Sequence, residues 1–138
     1  MPNPGEVLYH TNFKFTDGSY GKKLLVVLNK SEISTDCLVL KTTSRPARYQ
    51  DVKTGCNPEK HVFYIPKDLQ HFDLDTYIQL PQIFAIPTKQ LIKNGMNQFI
   101  QSQFTLDEIC FRQLLNCLKR YFKDDIAPEH WDIIFRLK

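Results

Sequence analysis

Apolar positions follow two rhythms along the chain, and the change comes near residue 88. Before it they sit in short runs closed by turn residues. Pro4-Gly5 followed by Glu6-Val7-Leu8-Tyr9-His10 predicts a first strand. Leu24-Leu25-Val26-Val27-Leu28 is continuously apolar, the pattern of a central strand buried on both faces. Cys37-Leu38-Val39-Leu40-Lys41-Thr42 predicts the next strand. His61-Val62-Phe63-Tyr64-Ile65 is a further one, closed by Pro66. Tyr77–Leu80 and Gln82–Ile86 are two short strands punctuated by Pro81 and Pro87, which cannot donate to a central ladder. Thr11 to Lys23 reads as a polar, aromatic loop, with turn chemistry at Thr16-Asp17-Gly18-Ser19 and Gly21. Ser44 to Lys60 reads as a loop or a ragged edge hairpin. Six short strands with polar turns predict a small, strongly bent β-barrel or a sandwich.

After residue 88 the period lengthens. Thr88 to Lys93 predicts one or two helical turns, stopped by Asn94-Gly95. Thr105-Leu106-Asp107-Glu108 has the form of a capping box with Thr105 as N-cap. Leu106, Ile109, Cys110, Leu114, Cys117, Leu118 and Tyr121 recur at three and four, which predicts a helix of about five turns with one face on a core. Asp124-Asp125 ends it. Pro128, followed by Trp131, Ile134 and Phe135, predicts a last short helix. The expectation is a mainly β domain with α, spanning 1–138, its β part over 1–87 and its helical part over 88–138.

Composition narrows the class. The 138 residues are 42% hydrophobic and 24% charged, which excludes a disordered or collagen-like chain. The longest apolar run is of strand length, so no membrane helix is expected. The N-terminus has no signal-peptide pattern, and a cytoplasmic location is expected. The net charge is +3, and its placement matters more. Residues 1–70 hold ten Lys or Arg against seven Asp or Glu, whereas residues 71–138 hold eight of each. A polyanion would touch the first half. Cys37, Cys56, Cys110 and Cys117 form no C-x-x-C pair, and four reduced structural thiols are expected. Zinc on Cys37, Cys56 and His61 is the lesser alternative, because the spacing fits no common finger.

No G-x-S-x-G, P-loop, H-E-x-x-H or EF-hand pattern occurs. Two segments combine hydroxyls with cations, the pairing that holds phosphate oxygens. One is Phe15-Thr16-Asp17-Gly18-Ser19-Tyr20-Gly21-Lys22-Lys23, feeding the buried strand. The other is Lys41-Thr42-Thr43-Ser44-Arg45-Pro46-Ala47-Arg48, at the end of another strand. The plainer reading of both is a solvated turn and a solvated strand end. Phe13, Phe15 and Tyr20 can stack bases or simply anchor the loop. Asp73 and Asp75 read as exposed loop carboxylates without a visible partner.

These segments, in their order, resemble the MazF/PemK family of toxin endoribonucleases over roughly residues 4 to 123. Pro4-Gly5-Glu6-Val7 is similar to the family's opening strand, and Phe15-Thr16-Asp17-Gly18-Ser19 to its P-F-T-D loop. Lys22-Lys23-Leu24-Leu25-Val26-Val27-Leu28 resembles its K-R-P-A-L-V-L strand. Leu38 to Ser44, Glu59-Lys60-His61-Val62 and Gln82 to Ile86 resemble three later motifs. The resemblance implies an SH3-like (CcdB-like) barrel with a C-terminal helix packed on it, usually a homodimer. It implies cleavage of single-stranded RNA without metal or cofactor, the ribose 2′-hydroxyl attacking the adjacent phosphate, and an antitoxin partner. Carried over by position, Lys23, Thr42 and Thr43 are the implied catalytic residues. Phe15, Thr16, Asp17, Lys22, Ser44, Arg45, Arg48 and His61 are the implied RNA contacts. Lys23-Leu24 departs from the family's Arg-Pro, and lysine offers a point charge rather than a bidentate fork. That departure keeps a second reading alive: an inactive barrel that binds nucleic acid or protein. The segment Ala127 to Lys138 extends past the family's usual end.

Overall fold

The computed structural model describes residues 2–32, 34–45, 49–96 and 98–135. Seven strands form one antiparallel sheet: β1 (Glu6–Lys14), β2 (Tyr20–Val27), β3 (Cys37–Thr43), β4 (Gly55–Asn57), β5 (Val62–Ile65), β6 (Thr76–Ile86) and β7 (Ile100–Thr105). Their spatial order is β4-β5-β6-β3-β2-β1-β7, so β4 and β7 are the two edges. Three helices complete the chain: α1 (Thr88–Met96), α2 (Glu108–Tyr121) and α3 (Pro128–Phe135). The protein is mainly β with helices, as the patterning predicts.

The continuous apolar runs at β2 and β3 have the cause the sequence suggests. Alternate side chains leave a strand on opposite faces, so a strand covered on both sides is apolar throughout. Val7, Val26, Leu28, Leu38 and Leu40 join Leu114, Cys117 and Leu118 of α2 and Ile134 of α3 in one core. Leu8, Leu25, Val27, Cys37 and Val39 join Leu91 of α1 in a second core on the other face.

The structure revises several expectations. Thr11–Lys23 is mostly strand, a β1–β2 hairpin with a short turn between Lys14 and Tyr20. The two strands expected around Pro81 are one, β6, passing through a cis Leu80–Pro81 peptide. α1 runs on through Asn94-Gly95 to Met96. Strand β7 went unpredicted, because Ile-Gln-Ser-Gln-Phe-Thr has too few apolar residues to read as a strand. It lines the sheet edge, where one neighbour suffices. The N-cap of α2 is Asp107, not Thr105: Asp107 Oδ1 accepts the Cys110 N–H at 2.7 Å, while Thr105 still belongs to β7. The helix has 14 residues, about four turns.

The four expected thiols are only two. Cys56 of β4 and Cys117 of α2 form a disulfide, their Cα atoms 5.8 Å apart. The buried face of α2 carries Cys117 onto the edge strand, inside bridging range. Cys37 is a buried thiol and Cys110 a half-buried one. With Cys56 so engaged, the Cys37–Cys56–His61 zinc set is not assembled, and no metal-ligating cluster exists among the described residues.

Candidate functional site

β2 and β3 stop pairing at Leu25–Lys41, although both strands continue past that point. Side chains bridge the resulting gap. The Thr42 hydroxyl, on a residue 4% exposed, donates to the Leu24 carbonyl at 3.0 Å. The Lys23 ammonium donates to the Thr42 carbonyl at 2.9 Å. These two bonds replace missing ladder bonds and fix Lys23 against Thr42 across the splayed strands.

A cleft of about 330 Å³ opens at this splay. It is lined by Lys22, Lys23, Thr42, Thr43, Ser44 and Arg45, with Tyr9, Asp73 and Thr76 completing the wall. Arg45 is tied in by its backbone, whose N–H donates to the Thr43 hydroxyl at 3.3 Å. Three cations thus meet one carboxylate and several hydroxyls in a small concavity. That mixture suits a phosphate ester: cations and hydroxyls bind its oxygens, and the carboxylate takes a proton.

Six of the implied site residues converge here: Lys22 and Lys23 from β2, Thr42 and Thr43 from the end of β3, and Ser44 and Arg45 just after it. Tyr9, Asp73 and Thr76 were not among them. Asp73 reaches the cleft from the loop between β5 and β6, and its neighbours there are distant in the chain.

The other implied residues stand elsewhere. Phe15, Thr16 and Asp17 build the hairpin turn. The Asp17 carboxylate accepts both the Ser19 hydroxyl, at 2.6 Å, and the Ser19 N–H, at 2.9 Å. These bonds hold its pKa below the ordinary carboxylate value, the hydroxyl contributing most. Gly18 supplies the positive φ of that turn, at 90°. Phe15 packs edge-on against Phe13, and the ammonium groups of Lys23 and Lys41 lie 5.8 and 6.0 Å from its ring centre. Phe15 therefore offers its ring to the ammonium groups of Lys23 and Lys41. His61 is remote from the cleft. It precedes β5 at the end opposite Ile65, the residue paired with the cleft residue Thr76, and its ring meets that of Phe122, just past α2, at 5.4 Å. Its φ of 56° ends a single 3-10 turn. Arg48 lies outside the described residues.

Two further groups flank the site. Tyr49, Tyr77 and Tyr64 stack in series, with ring centres 5.2 and 4.9 Å apart. Tyr77 pairs with Thr43 across β3 and β6, so the stack abuts the cleft wall. Burial, followed by the nearby Asp75 carboxylate, raises the phenol pKa of both Tyr64 and Tyr77. Both stay neutral donors.

No protein-family model matches the chain, and no curated protein matches it.

Proposed function

We propose that the protein is a MazF/PemK-like endoribonuclease that cleaves single-stranded RNA without a metal, at the cleft between β2 and β3. The observation that carries this reading is the meeting of Lys22, Lys23, Thr43, Ser44 and Arg45 with the single carboxylate of Asp73. One carboxylate among three cations is a poor donor set for a divalent ion and a good one for an anionic ester. The antiparallel sheet is not closed into a barrel, but its bulges in β1 and β6 and its covering C-terminal helix are compatible with an SH3-like architecture in this reading. In the same reading a second copy forms a homodimer, an antitoxin segment competes for the cationic cleft, and the work is done in the cytoplasm.

The chemistry follows from the donors. The RNA 2′-oxygen attacks phosphorus and its proton passes to the Asp73 carboxylate. Lys23 and Arg45 hold the non-bridging oxygens as negative charge accumulates. The P–O5′ bond breaks, and an ammonium of the Lys22–Lys23 pair protonates the leaving oxygen. The products are a 2′,3′-cyclic phosphate and a 5′-hydroxyl. Thr43 donates its hydroxyl to the phosphate, while Thr42 positions Lys23.

The decisive test is an end-labelled mixed-sequence RNA incubated with purified protein and EDTA. Discrete fragments ending in cyclic phosphate are expected, and Lys23→Ala or Asp73→Asn lowers the rate by about 10²–10³. Cleavage that survives both changes overturns the site.

A second reading has its own observation. The Thr42 hydroxyl and the Lys23 ammonium both make structural bonds. If these engage them fully, the cleft binds RNA without cutting it. Intact RNA together with salt-sensitive binding is the result that selects this alternative.

A further inference from the structure

A second polar cavity lies between α1 and β1. It encloses about 630 Å³ and is lined by His10, Asn12, Phe84, Gln90 and Asn94, with Lys14, Tyr20, Lys93 and Phe99 at its rim. A bulge in β1 creates it. His10 pairs with Lys23 and Phe13 with Gly21, so β1 spends one residue more than β2 between those pairs. Simple alternation would send Phe13 to the face opposite His10. The extra residue turns Phe13 back onto the same face, where its ring meets the His10 ring at 5.7 Å.

The bulge also orients the imidazole. The freed Asn12 N–H donates to His10 Nδ1 at 3.1 Å, so the neutral ring carries its proton on Nε2. That nitrogen stands 3.5 Å from Asn94 Nδ2, a donor facing a donor, so no hydrogen bond joins the two, while Gln90 Nε2 donates to Asn94 Oδ1 at 3.1 Å. His10 is 5% exposed and Asn94 8%. Burial pushes the His10 pKa below its ordinary value of 6.5 and keeps the ring neutral. Buried His10 and Asn94 at the floor and exposed Gln90 at the rim offer both donors and acceptors to a ligand. Aromatic rings form its walls, and two lysines stand at its mouth.

We propose that this cavity binds one nucleotide unit, its base hydrogen-bonded by Gln90, Asn94 and His10 among the rings of Phe84, Phe99 and Tyr20, and its phosphate on Lys14 and Lys93. The chemistry matches part by part. Side-chain amides recognise the paired donor and acceptor of a base edge. Aromatic rings stack on any base, and ammonium groups at the rim meet the phosphate. The inference stands apart from the nuclease reading, because the cleft between β2 and β3 shares no lining residue with this cavity.

The test follows the four histidine imidazoles by NMR during titration with each of the four nucleoside 5′-monophosphates. Inorganic phosphate is one control, and short single-stranded RNA is a separate arm. The expected result is a saturable shift of the His10 signals with at least one nucleotide or with the RNA, and none with phosphate. Saturation by a mononucleotide identifies a free-nucleotide site. Saturation by RNA alone identifies a subsite for one base of a strand. Lys93→Ala, on the exposed side of α1, weakens nucleotide binding about fivefold and leaves nucleoside binding unchanged. Gln90→Ala, also exposed, weakens both. Absence of any saturable shift, or an equal shift with phosphate alone, overturns the proposal. Lys23→Ala leaves this binding intact, so loss of cleavage and loss of nucleotide binding are separate outcomes.

Discussion

The Thr42 hydroxyl bridges the splayed strands, and substitution tests that bond. It donates to the Leu24 carbonyl in a nearly dry setting. Thr42→Val keeps the shape and leaves that carbonyl unpaired, so stability falls by about 1–3 kcal/mol in urea unfolding. Thr42→Ser restores the bond and most of the loss. A Val variant as stable as the parent contradicts the bridging role. His10 sets a pH dependence of known sign. Its folded pKa lies below its ordinary value, so above pH 6.5 it is neutral in both folded and unfolded states and contributes nothing. Below that pH the unfolded chain takes up a proton that the folded one resists, and stability drops. The urea midpoint is expected to fall from pH 7 to pH 5, and His10→Gln is expected to remove part of that fall. An identical fall in the variant would assign it to other groups.

At the scale of elements, the disulfide decides how firmly β4 is held. β4 has three residues and one strand neighbour, and Cys56 ties it to α2 across a separation of 61 residues. Closing a loop of that length stabilises the native state by about 4 kcal/mol in the chain-entropy account. Thiol titration of the denatured, unreduced protein is expected to find two reactive sulfhydryls. Cys56→Ala with Cys117→Ala is expected to lower stability by about 2–4 kcal/mol. Four reactive thiols would restore the sequence expectation of a fully reduced chain. Elements were legible in the sequence wherever burial was two-sided. Leu25–Leu28 and Cys37–Leu40 show it in every residue, and α2 shows it in its spacing. β7 was not legible, because an edge strand needs no apolar alternation. The α2 cap was misread because Thr105-x-x-Glu108 and Asp107 both satisfy capping rules, and only the path of β7 decides between them. The cleft was half legible. Hydroxyls beside cations on β2 and β3 marked it, but Asp73 arrives from a loop that no local pattern joins to them.

For the whole molecule, the uneven charge distribution acquires a location. The surplus in the first half includes Lys22, Lys23 and Arg45, gathered at one splay of the sheet. If RNA binds there, log affinity falls against log salt with a slope of about −2, the value for three cations on a single strand. Lys22→Ala is expected to flatten that slope by roughly 0.7. A slope that ignores all three residues would move the binding surface elsewhere.

The order of the sheet also constrains how the protein comes into being. β7 pairs with β1, and residues 15–99 lie between the partners. During synthesis β1 therefore leaves the ribosome with one flank unclaimed and keeps it so until α1 and β7 have followed. Until then its backbone donors and acceptors are open to strangers. Contacts so distant along the chain close late, and assembly is correspondingly slow. A nascent chain halted before residue 100 would be the form most prone to aggregate, even though it already holds every cation of the cleft.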